Sequence, residues 1–171
     1  MRILLILLLC LSSLPAQADN WLTWPTVGSA KLSWGPFDIY FSVLRTPAGR
    51  YQANQWPQAL SINYQRDIAA ADLVEATQDQ WQAMEIAVPA EQQQRWLAQL
   101  SAIWPSVQSG SQITFVGDDN GGLFYYRPQP DQPVRQIGER FDIAFRDAFL
   151  AIWLSPATQY PALRQQLTGG S

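Results

Sequence analysis

Residues 37–46, FDIYFSVLRT, alternate with a period of two, and the period later changes. Phe37, Ile39, Phe41 and Val43 share one side; Asp38, Tyr40, Ser42 and Leu44 share the other. A period of two with an apolar side predicts a half-buried antiparallel strand, the Phe37 side inward. Residues 26–34, TVGSAKLSW, predict a strand before it, across a Gly35-Pro36 turn. ALSINYQR, residues 59–66, predicts a third strand with Leu60, Ile62, Tyr64 and Arg66 on one side.

The period then becomes helical. Leu73, Thr77, Trp81 and Met84 form one stripe over 69–84, with Asp67 as the expected N-cap. A second helix is predicted from Pro89, burying Trp96, Leu97, Leu100, Ile103 and Trp104. SQITFV, LFYYR and PVRQIG follow as short strands. Glu139–Leu154 predicts a strongly apolar helix with Phe141, Phe145, Ala148 and Ile152 in a stripe widened by Phe149 and Trp153. A helix this apolar must be covered on two sides or line a cavity. PALRQQL predicts a short last helix, stopped at Gly169. The expected class is α+β: an antiparallel β-sheet with α-helices layered on one face.

The first 18 residues, MRILLILLLCLSSLPAQA, read as a secretory signal peptide: Arg2, a short apolar run, then Ala16-Gln17-Ala18. The expected domain is residues 19–171, periplasmic or secreted, with no membrane span after cleavage near Ala18. That segment holds no cysteine, since Cys10 lies in the leader, and the chain holds no histidine. Thiol chemistry and any histidine base or ligand are excluded there. Without Arg2 the balance is 10 basic to 14 acidic residues, net −4, with no basic run. Nucleic acid is an unsuitable partner for such a chain. No cofactor is expected.

GDDNGG, residues 117–122, is the densest group of site-like residue types. Its adjacent aspartates would point apart in extended backbone, and the twelfth position from Asp118 is Gln129 where a calcium loop has glutamate. A strand follows it where a phosphate loop needs a helix. A hairpin turn is expected, and no metal site. Arg66 continues a core-facing side and wants an acidic partner or an anionic ligand. A snorkelling arginine, or one paired with Asp67 or a helix carboxylate, accounts for it as well. Tyr64 and Lys31 are the residues that would complete an anion-binding group. Asp72, Glu75 and Asp79 can pair at helical spacing, but a solvated helix side explains them. The eight tryptophans suit a ligand pocket or a packed core.

Four segments in order, VGSAKLSWGPFDIYFSVLRTPAGRY, LSINYQRDIAAADLVEA, GSQITFVGDDNGGLFYY and FRDAFLAIWLSPATQYPALRQQL, resemble the bacterial chalcone isomerase-like family. The resemblance implies a sheet with helices over one face and a cleft between them. Plant enzymes of this fold cyclise a chalcone; related members bind fatty acids. In both, an arginine after a Gly-x-Gly-like element engages the ligand. Here that element reads GSAKL, with Ala30 for the second glycine and Lys31 as the nearest cation. The family's Tyr and Asn on the helix after the third strand have no counterpart in 67–82. The expected function is a non-catalytic binder of a small amphipathic carboxylate such as a fatty acid. Arg66, Lys31 and Tyr64 would anchor it, walled by Phe141, Phe145, Phe149 and Trp153. The alternatives are a chalcone-type isomerase and a protein-partner or assembly factor without a small ligand.

Overall fold

The computed structural model of the chain describes residues 21–170. The expected signal peptide lies outside the described residues. Strands β1 (Thr26–Trp34), β2 (Phe37–Arg45) and β3 (Gln58–Tyr64) are followed by helices α1 (Ala70–Ala83) and α2 (Ala90–Ile103). Strands β4 (Gln112–Asp118), β5 (Gly121–Arg127) and β6 (Arg135–Phe141) then lead to α3 (Ile143–Leu154) and α4 (Pro161–Leu167). The six strands form one antiparallel meander in chain order. The helices pack on one face of it, as expected for the α+β class. Among the described residues no helix is long and apolar enough to cross a membrane.

The inner face of the sheet is set by register. Tyr40, Ser42 and Leu44 of β2 stand opposite Tyr64, Ile62 and Leu60 of β3. Leu60 and Ile62 in turn face Phe115 and Ile113 of β4. This corrects the expected side of β2: Leu44 is fully buried, while Phe37 and Phe41 are exposed. Ser42 and its register partner Ala30 on β1 are small and buried, and β1 packs against α4. Gly28, also on β1, allows that approach. A β-carbon there would overlap the Gln166 carbonyl oxygen and lie 2.7 Å from that of Leu167.

Three local expectations change. β3 ends at Tyr64, so Arg66 leaves the sheet. Asp67 does not cap α1; its carboxylate accepts from the Ser109 amide at 3.2 Å, and Ala69 is the N-cap. Glu139–Phe141 belong to β6, not to α3. Asp142 is where the helix begins, its Oδ1 accepting from the Phe145 amide at 2.8 Å, which satisfies one of the free donors of the first turn.

GDDNGG is a hairpin, as expected. Asp118 pairs with Gly121 across the two-residue turn Asp119–Asn120. Asp118 Oδ1 accepts from the Asn120 amide at 2.9 Å, and Gly121 adopts φ +124°. The Asp118 carboxylate also takes both oxygens' bonds from Arg140 Nη1, at 2.7 and 2.8 Å.

Candidate functional site

A cavity of about 190 Å³ lies between the inner face of the sheet and α1, α3 and Trp104 at the end of α2. Leu60, Ile62 and Phe115 form its floor; Leu73, Phe149, Ile152 and Trp153 form its roof. Asp72 and Ala76 line it and are solvent-exposed, which places them at its mouth. The α3 expectation therefore holds: the helix is buried over most of its circumference, with Ile143, Ala144 and Asp147 exposed along one stripe, and another side lines a cavity.

Apart from Asp72 at the mouth, the polar groups lining the cavity are uncharged. Tyr64 closes the end of β3, its ring edge-on to Tyr40 with centroids 6.3 Å apart. Trp153 Nε1 donates to the Tyr40 hydroxyl at 3.0 Å. Burial pushes the Tyr40 phenol up to about 12, against the opposing pull of the Trp153 bond. Burial also pushes Tyr64 up. Both rings therefore keep their protons at neutral pH. Gln80 Nε2 donates to the Tyr160 hydroxyl at 3.3 Å. Its Oε1 is buried with no partner, and so is Trp104 Nε1. Buried polar atoms are nearly always satisfied. An acceptor and a donor left open beside an apolar cavity mark where a ligand's polar group would bond.

The cavity contains no built nucleophile. Thr77 Oγ1 donates back to the Leu73 carbonyl at 3.0 Å, and among the described residues Asp72 is the one charged group in the lining. Among the described residues no cluster of three metal-ligating side chains occurs. The arrangement can shelter an apolar body and hydrogen-bond a neutral head.

Of the expected site residues, Tyr64, Phe149 and Trp153 come together in the lining. Phe141 and Phe145 do not. They pack behind it, centroids 4.0 Å apart, with Phe145 set edge-on to Trp81 and Trp96. Arg66 is exposed, its guanidinium carbon 5.6 Å from the Phe37 ring centroid. Lys31 is exposed and pairs with Asp38 at 3.0 Å. Neither cation reaches the cavity, because β3 has ended before Arg66 and Lys31 points outward from β1. The corresponding glycine, Gly28, serves the packing of α4. Sequence reasoning missed Tyr40, Gln80 and Trp104. Tyr40 was legible once β2 is turned over, and Trp104 sits where α2 ends before Pro105.

No protein-family model matches the chain. A protein of Haemophilus influenzae, described as uncharacterized, is 26% identical over 146 residues, spanning 85% of this chain and 68% of that protein.

Proposed function

We propose that this chain is an exported, chalcone isomerase-like, non-catalytic binding protein that holds a small amphipathic molecule between its sheet and helices. The observation that carries the reading is the 190 Å³ apolar cavity with Gln80 Oε1 and Trp104 Nε1 open beside it. An engineered apolar cavity of roughly 150 Å³ accepts benzene, so this one suits a single ring or short chain with one polar substituent. A long acyl chain would have to protrude at Asp72 and Ala76.

The head group in this reading is neutral, a hydroxyl or a protonated acid. A carboxylate inside the cavity would lose its hydration beside Asp72 with no cation to replace it, which is strongly unfavourable. A hydroxyl can donate to Gln80 and accept from Trp104 or Tyr64. The sheet-and-helix layering supports the family resemblance, and the leader sequence supports export.

Native mass spectrometry of protein purified from its host tests this. The expected spectrum shows a chain beginning at Asp19 that carries a small organic adduct, and the adduct is missing from Ala76→Trp. A bare wild-type chain whose melting temperature no small alcohol or phenol raises would overturn the binding reading.

A further inference from the structure

The opposite face of the sheet carries a second pocket, also of about 190 Å³ and of different chemistry. Its floor is a row across four strands, Phe41 to Asn63 to Gln112 to Arg127, each the register partner of the next. The amides in the row are already committed: Gln112 Nε2 donates to Asn63 Oδ1 at 2.8 Å, and Asn63 Nδ2 to the Phe41 carbonyl at 3.3 Å. Trp21 and Leu22 also line the pocket, with Trp21 buried and tilted against Tyr125 at 5.7 Å.

Arg45 and Arg127 both line the pocket, and among the described residues no carboxylate does. Arg45 Nη1 donates to the Trp24 carbonyl at 3.3 Å. The Arg127 side chain is half-buried and makes no hydrogen bond, ion pair or ring contact with any described residue, and its Nε is buried without a partner. The Trp21 Nε1 donor is likewise buried and open. Arg146, which is more deeply buried, has a carboxylate and a carbonyl as partners. A partly desolvated guanidinium without a partner is costly, and its planar fork matches a carboxylate.

We propose that this outer pocket binds a small organic carboxylate, with Arg127 holding the carboxylate and Trp21, Leu22, Phe41 and Val43 covering its apolar body. The site is separate from the inner cavity and does not depend on the reading given for it. The chemistry expected from the sequence, an arginine beside apolar walls, then occurs on the other face of the sheet and on another arginine.

Calorimetric titration of the mature chain with 4-ethylbenzoate tests the site. Saturable binding is expected in the wild type and in Ala76→Phe, which blocks only the inner cavity. Arg127→Gln is expected to weaken it at least about tenfold, and Arg45→Gln to weaken it less. Arg127→Lys is expected to recover part of the loss, since it restores charge without the fork. Circular dichroism checks that each variant is folded. The proposal would be overturned by no saturable binding to the wild type, by equal affinity in folded Arg127→Gln, or by loss with Ala76→Phe instead. Inorganic phosphate is the last arm. Binding as tight as the benzoate would mean a bare oxyanion site, and would overturn the organic carboxylate.

Discussion

The guanidinium carbon of Arg146 lies 3.8 Å from the centroid of the Trp56 ring. Arg146 Nη1 donates to the Asp118 carbonyl at 2.6 Å, and Nε donates to Asp147 Oδ1 at 2.8 Å. This buried side chain thus ties α3 to the end of the GDDNGG hairpin. Arg146→Ala should lower the unfolding free energy by about 2–4 kcal/mol, through the lost stack, the lost bonds and the lost packing of its stem. Arg146→Lys should recover less than half, because one ammonium cannot serve ring, carbonyl and carboxylate together. Asp118→Ala should cost only about 1 kcal/mol, since its pair with Arg140 is partly solvated. Urea denaturation separates these values. A folded Arg146→Ala within about 0.5 kcal/mol of wild type would show that the contact is incidental.

Gly28→Ala should cost more than about 2 kcal/mol, because the new methyl meets backbone oxygens of α4 that cannot rotate away. Gly35→Ala is the comparison. It sits at φ +57° with nothing within 4 Å, so it should cost about 1 kcal/mol of backbone strain. Equal effects of the two on melting temperature would mean that α4 does not rest on β1 as described.

Stability should fall between pH 10 and 12. The Tyr40 phenol is raised in the folded state from 10.0 to about 12, so its contribution is fully present below pH 10. It is lost as the pH climbs, because the unfolded chain ionises first. The loss from Tyr40 is at most about 2–3 kcal/mol by linkage. Tyr64 is raised in the same direction. Chemical denaturation at several alkaline pH values should show a shallower fall for Tyr40→Phe than for wild type. Superimposable curves would mean that the ring is not buried in solution.

Most of the architecture was legible because period and punctuation agree. The β1 bounds, the Gly35-Pro36 turn, the Thr77–Trp81 stripe and the Pro161 start all follow from local rules. The inner side of β2 was not legible. Phe41 and Leu44 are equally apolar, and the choice between them depends on how β2 registers with β3 and where α4 lies. The start of α3 was also obscured. Phe141 falls on the helical stripe of Phe145 and Ile152, yet it is the last residue of β6 and is buried from there. The candidate site was half legible for a related reason. Tyr64, Phe149 and Trp153 face the cavity by simple periodicity. Arg66 fails because its strand stops, a tertiary event, and Arg146 went unnoticed because a charged residue in an apolar helix reads as a solvated one.

The central claim is that the inner cavity takes a small neutral amphipath. It is tested most directly by calorimetric titration with 4-ethylphenol of wild type, Ala76→Phe and Arg127→Gln. The expected result is saturable binding that Ala76→Phe abolishes and Arg127→Gln leaves unchanged. At about ten times the dissociation constant it should raise the melting temperature by roughly 3–6 °C. Absence of saturable heat in the wild type, or binding that survives in Ala76→Phe, would contradict it.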